Sequence, residues 1–261
     1  METIIYYFTG TGNNLYIAKR LKELLGNTDI KPIKALNNNH KISEEYKNVI
    51  FCVPSYYSHI PSYVENVLKE VVYQKQQRVY TIIGCGGNRG HSVEDIRELV
   101  KNAGKAVSGE YMIVLPGSYI LSYNAFPKFF IKLEYLFAER KLRKIAEQIK
   151  NERCVKLAKT GFFYKESDEP RLQKAIASYA ETGKNFVVSE KCKGCTICTK
   201  VCPVGNIHME NGRPVFGDNC QLCMACIQWC PNRAIDYNHL AESRRRYHHD
   251  EVSLKEIMNN K

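Results

Sequence analysis

Eleven cysteines occur in this 261-residue chain, and eight of them fall between Cys192 and Cys230. Cys192, Cys195, Cys198 and Cys202 are spaced by three, three and four residues, and Cys220, Cys223, Cys226 and Cys230 repeat that spacing 28 residues later. Pro203 and Pro231 follow each fourth cysteine, and Ile207 and Ile235 stand at matching offsets. Thiolates in this pattern are metal ligands. Three from one tight loop reach three corners of a four-iron cube; the chain then turns away, so the fourth serves the neighbouring cube. The spacing therefore groups Cys192, Cys195 and Cys198 with Cys230, and Cys220, Cys223 and Cys226 with Cys202, as ligands of two [4Fe-4S] clusters. Structural zinc also takes four ligands, usually as two separated pairs, and a three-plus-one run followed by proline is a poor match to that. Gly194 leaves room for backbone amides beside the first cluster. Of the remaining cysteines, Cys52 reads as a core side chain in a strand, Cys85 lies in a loop, and Cys154 has no readable role.

The run C-x2-C-x2-C-x3-C-P is that of bacterial-type ferredoxins, and residues 186–237 resemble a two-cluster ferredoxin domain over their whole length. The resemblance implies a small α+β unit that carries two [4Fe-4S] clusters.

A second stretch with chemical content lies near the start. Thr9-Gly10-Thr11-Gly12-Asn13-Asn14 follows an apolar run and precedes residues with helical apolar spacing. Glycines and hydroxyls at a strand-to-helix turn hold anions, yet residues 9–14 contain no lysine or arginine. A P-loop would need its lysine, and a dinucleotide fingerprint would need glycine where Leu15 stands. The loop resembles the phosphate loop of flavodoxins, with Asn14 in place of that loop's last threonine. There backbone N–H groups, hydroxyls and the helix N-terminus hold the FMN phosphate, and no basic side chain is required.

The resemblance implies that the flavin ring lies beyond the carboxyl ends of the strands, against the loops after strands three, four and five. Pro54, Ser55, Tyr56, Tyr57 and Ser58 follow strand three, with two tyrosines suited to stacking. Gly84, Cys85, Gly86, Gly87, Asn88 and Gly90 follow strand four. Tyr119 follows strand five. Gly84-x-Gly86 also begins a dinucleotide fingerprint, but its third glycine would fall on Arg89, so small residues that admit the flavin edge are the better reading. Residues 9–14, 54–61 and 84–90 contain no Asp or Glu, and Arg89 adds a positive charge. The stretch 54–61 also lacks glycine, so a positive φ at Tyr56 or Tyr57 would be strained. These features favour full two-electron reduction of the flavin.

The elements needed to position these loops are legible as alternation. Strand-like runs cover 3–8, 29–33, 48–53, 78–84 and 111–115. Helix-like runs cover 13–25, 61–73 and 92–103, and a long amphipathic segment within 126–150 is expected to pack on the sheet. The segment 33–45 is ambiguous. Alternation of this kind specifies an α/β, flavodoxin-like, doubly wound five-stranded parallel sheet. The expected organisation is an FMN-binding domain over 1–160, a connector over 161–185, the ferredoxin-like domain over 186–237, and a basic, exposed tail over 238–261.

The formal charge is +11. Nucleic acid is not the expected partner, because the basic residues are dispersed outside 244–249 and each cluster would bring roughly two negative charges. No run is apolar and long enough to span a membrane. Clustered cysteines without a secretion signal point to metal rather than disulfides, and to a reducing cytoplasm. The chain as a whole resembles the ferredoxin–flavodoxin fusions of anaerobic bacteria. That implies electron transfer between two [4Fe-4S] clusters and FMN, and onward to a redox partner protein or a small-molecule acceptor. The alternative is an FMN-dependent reductase that acts on a small substrate lined by Tyr56, Tyr57, His59, Tyr119 and Tyr123.

Overall fold

The protein is described by a computed structural model over residues 2–38, 40–157 and 183–259. Alternating side chains on each strand must leave the sheet on opposite faces, and both faces of this sheet are apolar. The strands are β1 (Thr3–Tyr7), β2 (Thr28–Pro32), β3 (Asn48–Pro54), β4 (Arg78–Cys85) and β5 (Val107–Val114). They pair in parallel in the order β2-β1-β3-β4-β5. Helices α1 (Asn13–Leu25) and α4 (Lys128–Lys150) cover Ile5, Tyr7, Ile50, Cys52, Tyr80 and Ile82. Helices α2 (Ser62–Lys69) and α3 (Ser92–Asn102) cover the alternate positions Ile4, Tyr6, Phe51 and Val53.

Several elements differ from expectation. The segment after β2 forms only a 3-10 turn, Ile33–Leu36, whose Ile33 and Leu36 are both buried. Helix α2 stops at Lys69, short of residue 73. Strand β5 starts four residues earlier than its apolar run, because Ser108-Gly109-Glu110 reads as a turn in sequence. The fully buried Glu110 is tolerated there: Arg97 grips both carboxylate oxygens at 2.7 and 2.8 Å, and the Leu157 backbone N–H donates at 3.0 Å. Helix α4 does more than pack on the sheet. From Ala138 onward it buries Ala138, Leu142, Ile145 and Ile149, but before that it leaves Phe129 (74 %), Leu136 (59 %) and Phe137 (58 %) largely exposed.

The cysteine-rich unit is a pseudo-symmetric pair of halves. Strand β6 (Phe186–Val188) pairs with β9 (Ile235–Tyr237), and β7 (Ile207–Glu210) pairs with β8 (Arg213–Phe216), both antiparallel. A short helix in each half, α5 (Ile197–Val201) and α6 (Ala225–Gln228), follows the third-from-last cysteine of its run. Left-handed residues recur 28 positions apart: Gly194 with Leu222, Thr196 with Met224, and Gly205 with Arg233. The repeat in sequence is thus a repeat in backbone. Leu222 and Met224 hold a conformation disfavoured by about 1–2 kcal/mol without glycine, which the packing of the loop must offset.

This unit does not stand apart. Val201, Ala225 and Trp229 join the same core as α1, β1 and α4, as do Val252 and Ile257 of the chain end, where α7 (Leu254–Met258) lies. The expected boundary at 160 and nearly all of the expected connector lie outside the described residues. No helix among the described residues is long and apolar enough to cross a membrane.

Candidate functional site

At the carboxyl edge of the sheet, where β1 and β3 diverge toward their helices, the loops enclose a cavity of about 310 Å³. The first wall is the glycine loop. Thr9, Gly10, Thr11, Asn13 and Asn14 line the cavity, and both threonines are buried. No side chain caps α1, so its first N–H groups are not satisfied from within the chain's side chains and suit an anion. The Thr9 hydroxyl oxygen accepts from the Gly12 N–H at 3.1 Å, which leaves its own proton to donate. Asn13 contributes its backbone rather than its amide: Nδ2 donates to the Pro116 carbonyl at 3.0 Å, and Oδ1 accepts from Tyr247 at 2.6 Å. Gly12, expected at the site, does not line the cavity. Its φ of +99° turns the chain into α1, and an added Cβ would stand 3.1 Å from Val252 and 3.2 Å from His249.

The second wall is the loop after β3, where Pro54, Ser55, Tyr56, Tyr57 and Ser58 all line the cavity. Tyr57 and Ser58 already hold φ of 50° and 69°, against the expectation that positive φ is avoided here. They are the central residues of a tight turn closed by Tyr56 N–H to His59 O at 2.8 Å and His59 N–H to Tyr56 O at 3.1 Å, the geometry of a primed hairpin turn. The His91 N–H fixes the Ser58 carbonyl at 2.5 Å. From the third loop, Gly84, Cys85, Gly86 and Asn88 line the cavity, whereas Gly87 and Gly90 do not. Gly90 serves loop packing, since a side chain there would run into Ser58. Cys85 is not a loop residue: it ends β4, is buried, and burial raises its thiol pKa. Arg89 brings no free charge to the site, because its buried guanidinium pairs with Glu94 at 2.7 Å. After β5, Pro116, Gly117, Ser118, Tyr119 and Tyr123 close the edge. The Tyr57 hydroxyl donates to that of Tyr119, and their rings meet edge to face at 5.4 Å.

The remaining wall was not legible in sequence. Leu222, Cys223 and Met224, from the second cysteine run, line the same cavity. Cys223 lies directly on Gly10, where an added Cβ would collide with the Cys223 carbonyl oxygen. The Trp229 indole N–H donates to the Gly10 carbonyl at 3.0 Å, and Gln228 Nε2 donates to the Ser118 carbonyl at 2.9 Å. Gln221 Oε1 accepts from the Ser62 hydroxyl at 3.1 Å and from the Tyr63 N–H at 3.0 Å.

The eight cysteines separate as their spacing implies. One small cavity is lined by Cys192, Cys195, Cys198 and Cys230, the other by Cys202, Cys220, Cys223 and Cys226. Four thiols around each small cavity are the donor set of a cubane cluster. Backbone N–H groups point at the sulfurs with the same symmetry: Asn206 to Cys202 Sγ at 3.2 Å and Ala234 to Cys230 Sγ at 3.3 Å. Burial raises the Cys198 thiol pKa to about 11 and raises those of Cys223 and Cys226 as well. The thiolates therefore require a cationic centre to form. Arg246 supplies a further sign of fit. Its Nε and Nη1 are buried without a hydrogen-bond partner, and it lies within electrostatic range of Cys230 and Cys226, one thiol from each cavity.

Arg246 belongs to the stretch expected to be an exposed tail, which is instead docked. Arg244 donates to the Ile120 carbonyl at 2.6 Å and Arg245 to that of Ala125 at 2.7 Å. Tyr247 is buried against Gln228 and Asn13, and the His249 N–H donates to the Thr11 carbonyl at 2.9 Å. The His249 ring, fully buried, stacks between Tyr16 at 4.0 Å and Tyr135 at 4.2 Å.

Residues 184–243 match a family described as a 4Fe-4S dicluster domain. A ferredoxin of Methanothermococcus thermolithotrophicus is 36 % identical over 50 residues, which cover 18 % of this chain and 83 % of that protein. A flavodoxin of Bacillus cereus aligns with 58 % of this chain and 98 % of its own at 12 % identity and a TM-score of 0.42. A flavodoxin of Streptococcus pneumoniae aligns over 58 % and 98 % at 14 % identity and a TM-score of 0.40. The fold of the sheet rests on its own strand order, 2-1-3-4-5 and all parallel, which is flavodoxin-like. The chain belongs to the 4Fe-4S dicluster ferredoxins through its cysteine-rich segment, here fused to a flavodoxin-like sheet. It is a redox protein that carries iron–sulfur chemistry.

Proposed function

We propose that the protein relays electrons between two [4Fe-4S] clusters and FMN, and onward to a partner protein or a small acceptor. One observation carries the reading: Leu222, Cys223 and Met224 of the second cysteine run form a wall of the cavity whose other walls are the loops of a flavodoxin-like site. When bound, FMN exchanges one or two electrons and each cluster exchanges one, so their union converts between single electrons and pairs. The chain's part is to bind and orient. Thr9, Thr11 and the uncapped start of α1 suit the phosphate, and Tyr56, Tyr57 and Tyr119 suit an aromatic ring. Trp229, Gln228 and Gln221 fix the second cluster's loop against that site. The clustered thiols suit a reducing compartment such as the cytoplasm.

Anaerobic purification with cofactor analysis tests this. One FMN per chain, with about eight iron and about eight acid-labile sulfide, is expected; bound zinc without sulfide would overturn it. A second reading, reduction of a small substrate, is favoured by a cleft of about 630 Å³ between α2 and α3 that shares Tyr56 and Tyr57 with the flavin cavity. His59 Nδ1 meets Asp95 there at 3.0 Å. Reoxidation of the reduced protein by a panel of small acceptors, without any partner protein, would select it.

A further inference from the structure

The two halves of the ferredoxin unit share a backbone but not a surface. In the second half, Gln221, Met224 and Gln228 surround Cys223 and are all buried. They are the residues by which that half seats itself on the flavodoxin-like sheet. The equivalent positions in the first half, 28 residues earlier, are Lys193, Thr196 and Lys200, around Cys195. Thr196 and Met224 share φ of 62°, so the two sets present their side chains in the same way relative to their clusters. Here, however, Cys195, Lys193 and Lys200 are exposed and Thr196 is only half-buried. Lys191, also exposed, stands beside them. None of these three lysines makes an ion pair among the described residues. The carboxylate nearest in sequence, Glu190, is taken by Arg213 at 2.8 Å. Helix α7 packs on α5 and covers Val201, but not the cysteine that would hold the first cluster.

We infer that this face is the docking surface for a small acidic one-electron carrier protein, an inference that rests on the electron-transfer reading above. The second half uses the face for a permanent contact, so its polar residues are neutral glutamines that hydrogen-bond to backbone. The first half carries lysines at those positions, which suit a transient partner steered by opposite charge. An apolar partner or a second copy of this basic chain would leave the lysines desolvated or opposed by like charge. The location also fits the chemistry. The second cluster's loop forms a wall of the flavin cavity, so the first cluster is the one left facing solvent. The step is the passage of one electron from the reduced carrier, which is oxidised, to the cluster held by Cys192, Cys195, Cys198 and Cys230, which is reduced; no bond is made or broken.

The test uses the full-length holoprotein and an acidic bacterial ferredoxin as the probe. Binding is measured by calorimetry at low and high salt for the wild type, for Lys193→Glu/Lys200→Glu, and for the control Lys47→Glu/Lys101→Glu, whose lysines are exposed at the opposite end of the sheet. The milder pair Lys193→Gln/Lys200→Gln installs the side chains of the second half and keeps the question answerable if charge reversal impairs folding. The expected result is binding that weakens with salt, falls about tenfold or more in both site variants, and is unchanged in the control. Reduction by methyl viologen, which needs no docking, should proceed at the same rate in all four proteins. Absence of ferredoxin binding at low salt, or equal affinity in the site variants, overturns the docking surface alone. A preparation without iron and sulfide overturns the electron-transfer reading and this inference with it.

Discussion

Gly10→Ala probes the contact on which the proposed function depends. Gly10 is not glycine for its own backbone, since its φ lies outside the left-handed region that Gly12 occupies at +99°. It is glycine because the loop of the second cysteine run lies on it. An added methyl would strike the Cys223 carbonyl oxygen and stand 2.9 Å from Cys223 Cβ and 3.1 Å from its carbonyl carbon. Backbone cannot swing aside as a side chain can, so the loop must lift. Overpacking of this kind costs about 1–3 kcal/mol. Lifting the loop also breaks the Trp229 bond to the Gly10 carbonyl, for about 1 kcal/mol more. A total of about 2–4 kcal/mol corresponds to a fall in melting temperature of roughly 4–16 °C for a chain of this size. Anaerobic calorimetry of the holoprotein measures it, with FMN affinity followed by flavin fluorescence. Coupling sharpens the result: Trp229→Phe should destabilise the wild type by about 1 kcal/mol but add little on top of Gly10→Ala, because one contact is lost only once. Wild-type melting and wild-type FMN affinity in Gly10→Ala would refute the contact, and additive effects of the two changes would refute its mechanism.

Thr9→Ala with Thr11→Ala should lower FMN affinity at least about a hundredfold by removing two hydroxyl donors to an ionised phosphate, with iron content unchanged; equal affinity would place the phosphate elsewhere. Burial lowers the His249 pKa to about 3, against about 6.5 in the unfolded chain. The unfolded state thus takes up the proton first, and stability is retained above about pH 6.5 and lost as pH falls toward 3, by up to about 1.4 kcal/mol per unit. Denaturant midpoints at pH 7, 6 and 5 should show this slope, and His249→Gln should flatten it; an unchanged slope would clear His249 of the role. Arg246→Gln should shift the cluster potentials negative, by roughly 40 mV for each about 1 kcal/mol of lost charge stabilisation; potentiometry showing no shift would separate Arg246 from the clusters.

What the sequence determined by itself was local. The grouping of the eight cysteines follows from spacing within two short loops, and two small cavities are lined by those same sets. Four of the five strands and helices α1 and α3 are legible within a residue or two at each end, because apolar periodicity and glycine-rich turns act over a few neighbours. Strand β5 is not, because a buried Glu110 held by Arg97 gives no apolar signal. Tertiary structure alone decided which cysteine loop closes the cavity at the carboxyl edge of the sheet, that Gly12 turns the chain beside His249 and Val252, and that residues 244–249 are a strap and not a tail. The exposed stripe at the start of α4 was equally hidden, since its apolar spacing is that of any packed helix. The physical reason is common to these cases. Periodicity reports which side chains share a face, whereas the partner that covers the face is set by single hydrogen bonds and close approaches between residues as distant as Gly10 and Trp229, and no repeat along the chain records them.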